Sequence, residues 1–188
     1  MILSIDIETT GLSPLTCQTI EIAIVAEVDK TTPVEQLPRY VCLVKHDLYQ
    51  GEAYALQMNK SIFEELAGIE ITNVPQYTPA EVVDTLDEWL GALDAKRKFT
   101  VVGKNFGSFD RLFLAALGVP VNKYFRHRYL DVGALFWDPE VDGDNIPDMS
   151  KCMLRAGIDT IIEHRALTDA MDTMKLLRIY EERRRVCV

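Results

Sequence analysis

Residues 4–12 read Ser-Ile-Asp-Ile-Glu-Thr-Thr-Gly-Leu and place two carboxylates, Asp6 and Glu8, in an apolar run that otherwise has the pattern of a buried first strand. Burying a carboxylate is costly unless it is paired, hydrogen-bonded or bound to a cation. Side chains two apart on a strand leave the same face, so Asp6 and Glu8 converge and repel unless a positive charge lies between them. In so acidic a chain the triplet also fits an ordinary strand end with solvated acids. Behind it, Gly11 permits a tight turn that would bring Leu12 out beside the carboxylates instead of into the core.

Strand patterns cover residues 1–7, 19–28 and 39–45, and the turn-rich joins at Ser13-Pro14 and Thr32-Pro33 suit antiparallel neighbours. Helical spacing runs over 55–68. Thr78 is a good N-cap for a helix over 79–93, with Pro79 at its first position. A short buried strand at 99–103 leads into an amphipathic helix at 108–118, closed by Gly118 and Pro120. Further on, 129–136 reads as a strand or turn, 142–147 as a loop, and 148–156 as a short helix ended by Gly157. The last helix, over 166–185, carries an apolar face of Leu167, Ala170, Met171, Met174 and Leu177. Strands first, then alternating helix and strand, predict an α/β fold: a mixed sheet of three antiparallel N-terminal strands plus parallel strands, flanked by helices.

A chain of 188 residues with 48% apolar content fits one domain, 1–188, around one substantial core. It shows neither a basic leader before an apolar stretch nor a segment near the roughly 20 apolar residues that span a bilayer, so a soluble, cytoplasmic protein without membrane contact is expected. Cys17, Cys42, Cys152 and Cys187 form no C-x-x-C pair, which argues for reduced structural thiols over a zinc site or a disulfide framework.

Two more segments carry chemistry-bearing residues. In 103–114, Gly-Lys-Asn-Phe-Gly-Ser-Phe-Asp-Arg-Leu-Phe-Leu, Asp110 falls on the first turn of a helix just after a buried strand, where an acid is favourable even without a metal. In His164-Arg165-Ala166-Leu167-Thr168-Asp169, five residues on one helix turn through about 500°. His164 therefore fits the loop before the last helix, free to swing over a site to which Asp169 contributes from the first turn.

These three motifs, in this order and framing nearly the whole chain, resemble the DEDDh family of 3'-to-5' exonucleases, named for four acids and a histidine. Within it, residues 124–136 and 164–173 are most similar to the oligoribonuclease group. The resemblance implies an RNase H-like sheet, with Asp6, Glu8, Asp110 and Asp169 as ligands of two divalent ions and His164 as general base. Two such ions about 4 Å apart assist attack, neutralise the transition state and stabilise the leaving alkoxide. An all-carboxylate set suits Mg²⁺ or Mn²⁺, and imidazole's ordinary titration range spans neutral pH.

In the family, the residue matching Leu12, beside Gly11, wedges against the terminal base, and backbone around Thr9 and Thr10 meets the terminal sugar; plain core packing is the alternative for Leu12. Apolar stacking of this kind is tolerant of base identity. Many members read H-N-A-x-F-D at the second motif. Here Lys104-Asn105 is followed by a loop one residue longer, which alters the surroundings of Asn105 while Asp110 still opens its helix. Phe106 and Phe109 are candidates for stacking on bases, with a core role as the alternative for Phe109. Asp131 and Asp172 fit structural hydrogen bonds better than direct ligation. The resemblance also implies a homodimer in which Tyr129, beside Arg126-His127-Arg128, reaches the neighbouring subunit; a solvated loop with a buried tyrosine is the alternative.

A net charge of -9 would ordinarily argue against a polyanionic ligand. Bound cations can neutralise part of the acids, and a short ligand needs no long phosphate track. The dense basic runs are 96–98 and 183–185, and the arginines of the second suit the end of the last helix better than a phosphate track. So sparse a basic surface favours short single-stranded RNA or DNA. Two alternatives stand: a proofreading exonuclease serving a polymerase, which would need a docking segment for which this chain leaves little length, and an inactive binding module, against which the complete set of acids argues.

Overall fold

The computed structural model describes residues 1–94, 98–158 and 164–186; Lys96 and Arg97 of the first basic run, and Cys187, lie outside the described residues. Strands are β1 (Ile2–Thr9), β2 (Thr19–Glu27), β3 (Arg39–Val44), β4 (Gln76–Tyr77), β5 (Thr100–Gly103) and β6 (Leu130–Asp131). Helices are α1 (Ala53–Met58), α2 (Lys60–Leu66), α3 (Pro79–Asp94), α4 (Asp110–Ala116), α5 (Val121–Tyr124), α6 (Val132–Leu135), α7 (Pro139–Asp142), α8 (Met149–Ala156) and α9 (Ala166–Val186). The sheet runs β4-β3-β2-β1-β5-β6. β1, β2 and β3 pair antiparallel, as their turns predict, while β5 pairs parallel to β1 and β6 parallel to β5.

The two-residue period of the strands divides the core. Leu3, Ile5 and Ile7, with Ile22 and Ile24, pack under α3 and α4 through Val82, Leu86, Leu90, Phe113 and Leu114. On the opposite face, Ala23 and Val25 meet Val132 of α6, Cys152 and Met153 of α8, and Ala166, Ala170, Met174 and Leu177 of α9. Asp6 and Glu8 share the phase of this second face. They therefore lie under α9, which packs across β1 and β2.

Local chemistry sets the helix limits. Thr78 and Glu81 exchange hydrogen bonds in a capping box before α3, with Thr78 N–H donating to Glu81 Oε2 at 2.8 Å. Asp148 caps α8 by accepting from Lys151 N–H at 2.9 Å, and Gly157, at φ 77°, ends it. Arg183 reaches across to the carbonyls at the end of α8, donating to Arg155 O and Ala156 O.

The pattern over 55–68 differs from expectation: it breaks at Asn59 into α1 and α2. Asn59 leaves the helical path because its side chain bonds elsewhere, Nδ2 donating to Thr9 O at 3.0 Å. The strand-or-turn at 129–136 resolves into β6 and α6 with Asp131 as the joint; Oδ1 accepts from Gly133 N–H and Oδ2 from Asn105 N–H, both at 2.8 Å.

Candidate active site

The end of β1 and the first turn of α9 bring Asp6, Glu8 and Asp169 together, so that one carboxylate oxygen from each lies within 4.8 Å of the others. Asp110, 3% exposed at the start of α4, stands outside that trio. It is nevertheless the strongest charged neighbour of Asp6. The four acids thus form a trio plus one, with Asp6 between. His164 is exposed on the chain just before α9, and with Asp6, Lys104, Asp148, Ser150 and Asp169 it lines a cleft of about 350 Å³.

Burial and mutual repulsion leave these acids short of counter-charge. Burial raises the Asp6 carboxyl well above its usual range, and the charges of Asp110, Asp169, Glu8 and Glu21 raise it further. Glu8 is pushed up to about 8, first by burial and then by Asp169 and Glu21, against a lowering hydrogen bond from Asn59. Asp110 is pushed up to about 7 by burial, with Asp131 adding to it, and Asp169 to about 7 by burial, Asp172 and Glu21. Acids that strain to stay ionised, with hard oxygen donors converging on one point, fit a divalent cation. Asp6, Glu8 and Asp169 could share one.

The turn after β1 is built from within. Thr9 O accepts from Asn59, and its hydroxyl donates to Gly11 O at 2.8 Å. Thr10 is fully buried: N–H donates to Gln18 O, its carbonyl accepts from Glu52 N–H, and its hydroxyl donates to Gln50 O. These bonds fix the backbone of the turn that carries Gly11 and Leu12. A Cβ on Gly11 would stand 2.5 Å from Cys17 Sγ and 2.9 Å from the Glu52 side chain, so close approach, more than backbone freedom, requires glycine. Leu12 is 75% exposed, which excludes core packing, and its N–H is held by Glu52 Oε1 at 3.1 Å.

The second motif turns through Asn105, an exposed residue at φ 60°, a conformation asparagine tolerates better than most. Its carbonyl accepts from the N–H groups of Ser108 and Phe109, so the turn itself delivers Asp110 to the start of α4. Base stacking by Phe106 is corrected by its burial. The ring has no exposed surface and packs edge-on against Phe125 and Tyr129. Phe109 is half-buried, its ring 4.9 Å from that of Phe113. Tyr129 is 39% exposed and lies over Gly107, where a Cβ would come within 2.4 Å of the ring.

Sequence reasoning missed Glu21, Asn59, Lys104 and Arg165. Glu21 is buried opposite Glu8, and Arg165, beside His164, is paired with both Glu21 and Glu65. The available signal was an acid inside a strand buried on both faces, since β2 is buried along its whole length. Asp131 makes structural hydrogen bonds, and Asp172, 6% exposed, pairs with Lys175.

A family model described as Exonuclease (RNase_T) matches residues 3–177. An oligoribonuclease of Neisseria meningitidis serogroup A is 26% identical over 193 residues, covering 95% of this chain and 89% of the relative. Among solved structures, E. coli exonuclease I in complex with a dT13 oligonucleotide superposes with a TM-score of 0.71 at 16% identity, over 99% of this chain and 42% of that one. The zinc-ion-bound form of the E. coli exonuclease I–ssDNA complex gives 0.71 at 16% identity, over 98% and 41%. The chain thus spans less than half the length of those exonuclease I chains, and at such identity the likeness bears on the fold alone.

Proposed function

Since the chain belongs to the RNase_T Exonuclease family, we propose that residues 1–188 are one exonuclease domain that removes nucleoside 5'-monophosphates from the 3' end of short RNA or single-stranded DNA. The observation that carries this is the convergence of Asp6, Glu8 and Asp169 within 4.8 Å, beside exposed His164. Relatives named oligoribonuclease, matched over 89% of their length, support short RNA, and neighbours solved with oligonucleotides support a single strand.

Asp6, Glu8, Asp169 and Asp110 would hold two Mg²⁺ or Mn²⁺ ions. When bound, such ions supply Lewis-acid polarisation of the phosphoryl group and charge neutralisation for the leaving oxygen. His164 takes a proton from the attacking water as its oxygen bonds to phosphorus, and the bond from phosphorus to the 3'-oxygen of the next nucleotide breaks. Leu12 offers an exposed apolar face to the terminal base, and Lys104 brings a positive charge into a cleft that also holds Asp6, Asp148, Asp169 and Asp172. The turn built by Thr9, Thr10 and Glu52 holds Leu12 in place.

We also place a homodimer contact at the edge of the sheet beyond β6. Between the Phe99–Phe125 and Val102–Leu130 pairings, β5 advances three residues while the facing chain advances five. The excess bows out Arg126, His127, Arg128 and Tyr129 around a cavity of about 670 Å³, a basic rim suited to an acidic second copy. Cys17, Cys42 and Cys152 are free and buried, which supports a reducing compartment, the cytoplasm. No helix among the described residues is long and apolar enough to cross a membrane.

The test is a time course on 5'-labelled RNA and DNA oligomers of graded length, with Mg²⁺, Mn²⁺ or EDTA, alongside Asp6→Ala and His164→Ala. Stepwise shortening from the 3' end, abolished by EDTA and by Asp6→Ala, and a kcat loss of about 10² or more for His164→Ala are expected. Undiminished activity in EDTA would reject the mechanism, and preference for long duplex DNA would reject the substrate. Sedimentation velocity tests the dimer: wild type should sediment as a dimer and Arg128→Glu as a monomer.

A further inference from the structure

Glu21 stands directly opposite Glu8 in the β1–β2 ladder and is 1% exposed. Like charges across an antiparallel pair destabilise a sheet, and Glu21 is not among the three acids that converge. Its oxygens are engaged elsewhere. Oε1 accepts from Arg165 Nη2 at 2.8 Å and Nε at 3.2 Å, and Oε2 accepts from the backbone N–H of Ala166, the first residue of α9, at 3.0 Å. From its other side, Arg165 donates through Nη1 to Oε1 of Glu65 on α2 at 2.6 Å, and Glu65 is 2% exposed. One guanidinium is thus gripped between two buried carboxylates, one from the sheet and one from a helix.

The position of that grip gives it a consequence. Arg165 immediately follows His164 and stands four residues before Asp169. The first N–H groups of a helix have no partner within it, and the acid that satisfies one of them here is Glu21 on β2. Each residue turns a helix by about 100°, so a slip of a single residue at this start would carry Asp169 away from Asp6 and Glu8. A planar fork with five donors fixes orientation toward two carboxylates in a way that a point charge on a flexible stem does not.

We propose that Glu21, Arg165 and Glu65 are positioning residues, a clamp that fixes the start of α9 against β2 so that His164 and Asp169 hold their places about the cleft. This rests on His164 and Asp169 being the base and a ligand. A bystander reading, in which the three act on the site only through their charges, makes a different forecast for a substitution that preserves charge or lies outside the lining of the cleft.

The experiment uses Arg165→Lys, which keeps the charge and loses the fork, and Glu65→Gln, an isosteric change on α2. For each, kcat and KM are measured on a 5'-labelled short RNA, Mn²⁺ affinity by electron paramagnetic resonance, and folding by circular dichroism. The clamp predicts a fall of about 10-fold or more in kcat and weaker Mn²⁺ binding for Arg165→Lys, with KM within about twofold, and a smaller fall of the same kind for Glu65→Gln. Both variants matching wild type in kcat and Mn²⁺ affinity would overturn it, as would a loss confined to KM. Should Arg165→Lys fail to fold, Glu65→Gln alone decides between these outcomes. His164→Ala and Asp169→Asn run in parallel: unimpaired activity in those two would instead remove the underlying assignment of base and ligand.

Discussion

Withdrawing divalent ions should make this protein less stable as the solution becomes more alkaline. The folded-state carboxyls of Glu8, Asp110 and Asp169 titrate at about 8, 7 and 7, and Asp6 is also raised, in each case chiefly by burial. A carboxyl whose folded pKa lies above its unfolded value contributes stability that is complete below the unfolded pKa and is lost as pH rises through the folded one. The window is therefore pH 5 to 9. One pH unit of displacement corresponds to about 1.4 kcal/mol, so Glu8, moved from its ordinary 4.5 to about 8, accounts for roughly 5 kcal/mol. The four acids are coupled, so their shifts are not summed, and the Glu8 figure, roughly 5 kcal/mol, sets the scale of the loss. At about 2–4 °C per kcal/mol for a chain of this length, Tm in EDTA should fall by about 10–20 °C between pH 5 and pH 9. Acids with lowered pKa values, such as Glu27, Glu35 and Asp142, remain ionised across this window and leave the slope alone. Saturating Mg²⁺ or Mn²⁺ binds the ionised form and should flatten the slope. Thermal melts by circular dichroism at five pH values, with EDTA and with Mg²⁺, provide the measurement. A Tm in EDTA that is level or rising over the window would show that these acids are not held at the expense of stability.

Other substitutions separate function from fold. Asp169→Asn removes one charge from the trio; Tm in EDTA at pH 8 should rise by several degrees while hydrolysis of a labelled oligomer falls by about 10³ or more. Leu12→Ala alters a residue that is 75% exposed, so the melt should stay within about 2 °C of wild type while KM for short RNA rises several-fold. Phe106→Ala empties a fully buried ring site and should cost about 3–5 kcal/mol in urea unfolding, the opposite of what a base-stacking surface residue would show.

What the sequence disclosed was whatever depends on neighbours a few residues away. Period-two spacing places Asp6 and Glu8 on one face, and a helix opening at Ala166 sets Asp169 in its first turn; both are local geometry and both hold in the structure. Phe106 sits in the core instead of on the surface because the loop that carries it is not periodic. A left-handed Asn105, pinned by Asp131 from 26 residues away, rotates the turn so that Phe106 faces the core and Phe109 only partly does. Asn59 ended a helix for a similar reason, its partner Thr9 lying 50 residues back. The clamp is the extreme case: Glu21 and Arg165 are 144 residues apart, so neither residue's spacing points to the other. Yet each stood in an improbable place, an acid in a strand buried on both faces and an arginine at the foot of an apolar helix face. A buried charge needs a partner whatever the distance. Two such charges of opposite sign in one chain are therefore grounds for pairing them with each other, and the local like-charge cost of Glu21 beside Glu8 becomes intelligible only through that distant pairing.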